Sequence, residues 1–569
     1  MKNLTLGISL GYNASACILD SNNNVLYAAS EERFTNVKNC KFFPVLAIKN
    51  GIEFLGIDPE NIVACYYSHY QEADIYDLYR HTYGIDEKIP QRPARDKDSR
   101  MEKNFIEQHL YMLGVKPMTI ARVNHHEAHA YCARALTPFH EGQNLYVVMD
   151  GFGDGDSISM WMESRDGDLM NVYRAPMDKS IALVYQFVTG ALGYKEHQHE
   201  GKITGLAAFG DPNKYYHDFV TLYQGFRSFQ HESAPKANSP IIDFDIFTKM
   251  KTRTYEFVNG ILYGMNPDER FEESKHIAAS LQAFAEDAAI ACIKTIINLK
   301  GLVDVNVMLS GGLFANVKIN QKVHEDIPDV KNIFVAPPMG DEGTCIGAAF
   351  YRNRHKKAKA NMTNMTMRMG TSHEAIEATY QLDNELNYKL LEGTETTAKA
   401  IAKDLSENKI VCLFDGRMEF GPRALIGRTI MYNCRDKGAN DWLNKQLGRT
   451  EFMPFAPFCK EEHARDLFHK VEGKEYALKN MTVTVDCTDE FIQNYPAACH
   501  IDNTARPQVI SSDENKLAWA ILDEYEAITG EKALINTSFN LHNYPIIESP
   551  EVAISSWKQS NTHSLYIGR

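Results

Sequence analysis

The sequence predicts a two-domain α/β chain. Three observations carry this: two buried strands that each run straight into a glycine-rich loop, a long amphipathic helix between them, and a break in pattern over 352–372 after which strand and helix signals resume. A chain of 569 residues also exceeds what one hydrophobic core serves.

The elements follow in order. Residues 4–10 and 24–30 read as short strands separated by an Asn-rich turn (Asn22, Asn23, Asn24), a hairpin that opens the first domain. The opening MKNLTLGISLGYNASACILD has one early Lys and an apolar stretch broken by Gly, Tyr and Asn, so it reads as a strand rather than a signal peptide. Residues 144–150, NLYVVMD, form a buried strand ending in Asp150, followed by GFGDGD. Over 274–298, Ile277, Leu281, Phe284, Ala288 and Cys292 recur at helical spacing, with Ser274 as N-cap. VNVMLS (305–310) is a second buried strand, followed by GGLFAN. The segment RNRHKKAKANMTNMTMRMGTS is basic, then rich in Asn, Met and Thr, and reads as a junction. The expected organisation is therefore a first domain over 1–355, a junction over 356–372 and a second domain over 373–569. In that second domain 394–407 looks helical and KIVCLF (409–414) looks like a buried strand. No internal repeat is legible.

Hydrophobic residues at 44% and charged residues at 24% are an ordinary globular balance. Lys+Arg is 60 against 74 Asp+Glu, a net charge of −14, which argues against nucleic acid or an anionic membrane as partner. Phosphates would have to meet focused clusters of Arg and Lys. The eleven cysteines are scattered, odd in number and without a CxxC pair, which fits reduced thiols in the cytoplasm rather than a disulfide scaffold. No apolar run approaches a membrane span.

Three clusters carry chemistry. In HHEAHA (125–130), His125 and His129 are four apart and project from one helical face, the spacing of two ligands to one metal ion. A helix of satisfied histidines has the same spacing, and both readings stand. Asp150, at a strand end, and Asp341, in PPMGDEG, are candidate further ligands, both where an α/β sheet presents its functional edge. Glu127 lies out of register for HExxH, which disfavours a metalloprotease. The second signal is the pair of strand-to-glycine loops, MDGFGDGD (149–156) and LSGGLFAN (309–316), whose backbone amides can approach phosphate oxygens. With Ser9 and Ser15 on the opening hairpin, they resemble the two-lobed fold of actin, sugar kinases and heat-shock ATPases. The third is DGRMEFGPRALIGRT (415–429), with LGRTEFMPFAP, HIDNTARPQV and INTSFNLHNYPI beyond it. Arg423, Arg449 and Arg506 are candidates to converge on phosphate, with Asn536 and Ser538 completing a polar pocket. Surface salt bridges and turns are the plain alternative, though a Gly-Pro-Arg turn restricts where its arginine points.

Together, GISLGYNASAC, EERFTNVK, HHEAHA, EGKITGLAAFG, SGGLFAN, PPMGDEG, EFGPRAL, PFAP and NTSFN resemble the NodU/CmcH family of O-carbamoyltransferases, nearly end to end. The resemblance implies an actin/sugar-kinase-like first domain, akin to the threonylcarbamoyl transferase that acts on tRNA, fused to a YrdC-like α/β domain. It implies that the second domain makes carbamoyl-adenylate from carbamoyl phosphate and ATP, with its Mg²⁺. The first domain then moves the carbamoyl group to a hydroxyl of a small molecule, a sugar or secondary metabolite, with the help of a divalent metal, iron. Carried over by position, His125, His129, Asp150 and Asp341 hold the metal. Gly151, Gly153, Gly311, Gly312 and Asn316 hold a nucleotide in the first domain. Lys38 lies near the transferring group. Glu419, Arg423, Arg449, Arg506 and Asn536 form the carbamoyl-phosphate and ATP site.

Two departures stand out. Tyr12 and Asn13 replace a His-Asp pair, and neither is a base at neutral pH, so either the acceptor's proton goes elsewhere, for instance to Glu31 or a metal-bound water, or the acceptor differs. The segment before PFAP keeps Arg449 but lacks a final Arg. Tyr12 and Asn13 motivate a second reading, a nucleotide-binding regulatory relative that has lost transfer. The acidic balance and the second domain disfavour a tRNA-modifying enzyme. The polar, aromatic-rich stretches 70–118 and 212–260 are expected to shape the acceptor site. A homodimer is compatible with the family, but no residue pattern encodes it.

Overall fold

The computed structural model describes residues 2–69, 98–223, 244–355, 367–373, 388–390, 393–446, 454–560 and 562–568. The first half holds two five-stranded sheets built on one plan. In the first, β1 (Leu4–Leu10), β2 (Ser15–Leu19) and β3 (Val25–Ser30) form an antiparallel meander, and β4 (Ile62–His69) and β5 (Thr119–Val123) add in parallel on the other side of β1. In the second, β6 (Asn144–Gly153), β7 (Asp156–Glu163) and β8 (Leu169–Pro176) repeat the meander, and β9 (Val305–Ser310) and β10 (Val330–Val335) add in parallel to β6. The α/β expectation holds here, with two sheets in the first half.

The absence of an internal repeat is corrected at the level of topology. A strand buried on both faces needs apolar side chains but no particular ones, so pairing order can duplicate while sequence does not. The opening hairpin is corrected too. SACIL is itself a strand and lies between the two that were expected to pair, so the Asn-rich turn joins β2 to β3, with Asn23 at φ +67°. The long helix spans Pro267–Lys300 and starts at Asn266, whose side chain accepts from the Asp268 and Glu269 amides in a capping box. Ser274 is therefore inside the helix, its hydroxyl donating to the Arg270 carbonyl at 2.7 Å. The polar turns before Ile277 carry no hydrophobic period and escape a pattern built on one.

The second half is a seven-stranded mixed sheet, in the order β11-β19-β12-β13-β18-β14-β17. Its strands are β11 (Tyr388–Leu390), β12 (Val411–Phe414), β13 (Arg428–Asn433), β14 (Ala456–Lys460), β17 (Gln508–Ile510), β18 (Ala533–Ser538) and β19 (Ser564–Ile567). A small ribbon pairs β15 (Val485–Asp486) with β16 (Thr504–Ala505). The predicted helix and strand appear as Thr394–Ser406 and β12. Of the expected junction, 356–366 lies outside the described residues. Residues 367–371 stitch the halves together: Met369 accepts from the Ala28 amide of β3 at 3.1 Å, and Met418 exchanges backbone bonds with Gly370 and Thr371. Of the expected acceptor-shaping stretches, 70–97 and 224–243 lie outside the described residues, and helices Asp98–Met112 and Phe244–Ile261 occupy much of the rest.

The halves pack closely. Helix Val317–Asp326 of the first half lies against the second: Asn320 donates to the Thr482 carbonyl at 2.8 Å and Gln321 to Asp486 at 3.0 Å. Lys474, fully buried, pairs with Glu325 at 2.5 Å. One hydrophobic cluster runs from Val147 and Leu309 through to Ile430 and Ile535. Among the described residues no helix is long and apolar enough to cross a membrane.

Candidate active site

Helix His125–Leu136 is capped by Asn124, whose side chain accepts from the Glu127 amide at 3.1 Å. The His125 amide donates to Asp154, which also binds Arg122, so the helix start is pinned before its imidazoles are aimed. Asp150 comes from β6. Asp341 opens a short turn after β10, its carbonyl accepting from Ser9 at 2.8 Å and Thr344 at 2.7 Å. At Gly347 an added Cβ would sit 1.8 Å from the Ala128 carbonyl, so glycine lets helix Thr344–Tyr351 cross the histidine helix closely enough to bring Asp341 to His125 and His129.

The four side chains converge. Their ligand atoms all lie within 4.8 Å of one another. His125 Nε2 is 3.2 Å from Asp150 and 3.2 Å from His129 Nε2, and Asp341 is 3.5 Å from both imidazoles. Two Nε2 atoms facing each other with two carboxylates fit one cation at metal–nitrogen distances of about 2 Å. Ser310 Oγ lies 3.3 Å from His129 Nδ1, which orients the ring with Nε2 toward the cluster. Burial opposes charge on His125, yet Asp341 and Asp150 outweigh it and raise its pKa. Burial likewise opposes charge on Asp150, but the hydrogen bond from His125 and the nearby His129 hold it well below the usual carboxylate range.

The glycine loops support this cluster. An added Cβ at Gly153 would meet the His125 ring at 2.1 Å. Gly312 donates its amide to Asp150 at 2.8 Å, and Gly311, at φ +102°, makes the turn that allows it. An added Cβ at Gly151 would make only ordinary contact with Leu183. Asn316 caps helix Val317–Asp326 and hydrogen-bonds Gln282.

Beside the cluster, a cavity of about 450 Å³ lies between the two halves. The first half contributes Asn13, Arg33, Lys38, Lys202 and Glu342 to its wall, and the second contributes Arg423, Arg506, Asn536 and Ser538. Burial and then the Arg506 charge push the Arg423 guanidinium well below its ordinary range. Arg423 donates to the Ala315 carbonyl at 3.3 Å, while its Nε is buried with no partner among the described residues. Two partly buried guanidiniums on one wall, near enough for their charges to interact, suit a polyanion.

The other arginines of the motif do different work. Arg417 donates to the carbonyls of Gly370 and Leu26. Arg428, wholly buried under the Phe414 ring, donates to the carbonyls of Asp415, Gly416 and Gly427. Glu419 accepts the amides of Leu425, Gly427 and Arg428, which clamps the loop that carries Arg423. Asn536 lines the cavity, but its amide donates to Ala424 and Gln508, bracing the same loop. Arg449 lies outside the described residues.

Lys38 is exposed on the cavity wall. Tyr12 stacks on His197, with Lys41 Nζ 3.6 Å from its ring centre. Glu31 is buried, and both its oxygens accept amides at the start of helix Val45–Leu55, from Leu46 at 3.0 Å and Ala47 at 2.7 Å. Sequence reasoning passed over Arg33, Lys202 and Glu342. Arg33 donates across the halves to the Gly421 carbonyl at 2.8 Å. Glu342 accepts from Asn13 at 3.3 Å, and burial raises its carboxyl to about 7. All three sit inside motifs already marked, but a single charge in a motif has no period to distinguish it.

The family described as "Carbamoyltransferase N-terminus" matches residues 4–350, and that described as "Carbamoyltransferase C-terminus" matches 402–569. An uncharacterized protein of Methanocaldococcus jannaschii is 27% identical over 99% of this chain and 98% of its own length. Nodulation protein NolNO of Sinorhizobium fredii is 24% identical over 97% of this chain and 78% of its own. Nodulation protein U of the same organism is 30% identical over 44% of this chain and 42% of its own. With both halves matched in order, the chain belongs to the carbamoyltransferase family and is a carbamoyl-transferring enzyme.

Proposed function

We propose that this enzyme is an ATP-dependent O-carbamoyltransferase with a YrdC-like second half, which makes carbamoyl-adenylate there and delivers the carbamoyl group to a small-molecule hydroxyl beside the first-half cluster. The observation that carries this reading is the shared cavity, with Arg423 and Arg506 on one wall and Lys38, Lys202 and Glu342 on the other. Glu342 adjoins Asp341, so the cavity reaches from the arginines to the edge of the cluster.

The chemistry fits such a path. Carbamoyl phosphate first loses phosphate to water, leaving carbamate. A carbamate oxygen then attacks the α-phosphorus of ATP and pyrophosphate leaves. Arg423 and Arg506 would hold phosphate oxygens and offset their charge as they pass between substrates. The product is an anhydride whose carbamoyl carbon has AMP as leaving group. An intermediate so easily hydrolysed is best kept in an enclosed space, which a cavity walled by both halves provides. Lys38 and Lys202 would steady the AMP phosphate as the carbon moves to the acceptor. The two-imidazole, two-carboxylate set suits iron, manganese or zinc, and such an ion when bound would polarise the carbonyl or the acceptor oxygen.

The test is pyrophosphate release by the metal-loaded protein. Release that requires both ATP and carbamoyl phosphate supports the reading, and release indifferent to carbamoyl phosphate would sink it. The second reading, a relative that binds nucleotide without transfer, has Tyr12 and Asn13 in its favour. It predicts no turnover in the same assay.

A further inference from the structure

The turn between β1 and β2 lies against the Asp341–Glu342 turn: Ser9 donates to the Asp341 carbonyl and Asn13 to the Glu342 carboxylate. Tyr12 is carried by that turn, and the ring of His197 stacks on it at 4.6 Å between centres and 21° between planes. His197 therefore lies on the side of this turn that Tyr12 faces, near enough to feel the charge of Asp341. Its backbone is unusual, at φ +63°. A histidine in the left-handed region persists only where its surroundings hold it, and such strain collects at functional sites. Here the holders are visible. Its amide donates to Glu200 at 2.6 Å, and its carbonyl accepts from Asn39 at 3.2 Å.

The residue is exposed although one ring face is covered by Tyr12, and among the described residues neither ring nitrogen has a hydrogen-bond partner. The carboxylates nearby are engaged. Glu196 binds Lys251, Tyr255 and Gln186, and Glu32 accepts the Asn39 amide. The charged groups facing His197 are Lys41, Lys251, Glu196 and Asp341. Partial enclosure and then the Lys41 ammonium lower its pKa, which favours the neutral ring that a base requires.

Resting on the reading above, we infer that His197 is the acceptor-side base of carbamoyl transfer. The acceptor hydroxyl gives its proton to a His197 ring nitrogen while its oxygen bonds the carbamoyl carbon. The bond from that carbon to the adenylate oxygen breaks, and its electron pair leaves with AMP. His197 then releases the proton to water.

The experiment compares wild type with His197→Asn, which suits a left-handed backbone, and with His197→Ala. Each receives ATP, carbamoyl phosphate and one of two probes. Glycerol is an alcohol that needs a base, whereas hydroxylamine attacks as the neutral amine. Glycerol carbamoylation should fall about a hundredfold in both variants, and its low-pH limb should vanish. ATP-dependent formation of hydroxyurea should persist. Undiminished glycerol transfer overturns the assignment, as does equal loss of both products, which would mean a structural role. A wild type that carbamoylates hydroxylamine but not glycerol overturns it as well. If wild type makes neither product, the proposed activity itself fails, and the assignment with it.

Discussion

His129 has no exposed surface, and its Nε2 faces that of His125 at 3.2 Å, an arrangement that only a shared cation or a shared proton relieves. His129→Ala should therefore abolish stoichiometric metal binding, measured as metal per chain after reconstitution and desalting. Retained metal would place the ion elsewhere. Glu31 makes a separate, pH-dependent prediction. Burial raises its carboxyl to about 7, above the ordinary carboxylate value, although two amides favour its charged form. The stability it contributes is complete below the ordinary Glu range and is lost as pH rises through about 7. Urea denaturation across that window should show a shallower decline in Glu31→Gln than in wild type. At this scale the sequence was most informative where spacing or position restricts geometry. His125 and His129 were legible from a four-residue step, and Asp150 from its strand end. Arg417, Arg423 and Arg428 look alike in one motif. They separate only when backbone carbonyls are seen to take two of them and the cavity wall to hold the third.

Among elements, the crossing of helix Thr344–Tyr351 over helix His125–Leu136 sets the cluster, because it joins the Asp341 turn to the two imidazoles. Gly347→Ala would push a methyl into the Ala128 carbonyl. The backbone must shift, at a cost of about 1–3 kcal/mol, read as a lower urea midpoint and accompanied by weaker metal binding. A variant that keeps both would show that the crossing is looser than drawn. Buried strands such as β6, β9 and β12 could be read from their apolar runs. The strand β2 was hidden because five residues with two small ones lack a distinctive pattern, and the helix start at Asn266 because its first turns are polar. The duplication was unreadable in principle, since it resides in pairing order rather than residue identity.

For the molecule as a whole, the decisive feature is that two matched halves enclose one cavity. The buried Lys474–Glu325 pair holds them together from the side of helix Val317–Asp326. Lys474→Ala leaves Glu325 with the more exposed Lys470 and the Gln321 amide, and should destabilise the chain by about 3 kcal/mol, measured by urea denaturation. A neutral result would mean that the other contacts between the halves, such as Asn320 to Thr482 and Arg33 to Gly421, hold them without this pair. Neither the cavity nor its mixed walls could be derived from motifs, because Lys38 and Arg506 face one cavity only after both halves fold and dock. The most direct test of the whole account is pyrophosphate release from ATP and carbamoyl phosphate, measured side by side in wild type, Arg423→Ala and His129→Ala. The account predicts a loss of at least about a hundredfold in Arg423→Ala and release retained in His129→Ala, with no carbamoyl product from the latter. Release that survives in Arg423→Ala, or disappears in a folded His129→Ala, would contradict it.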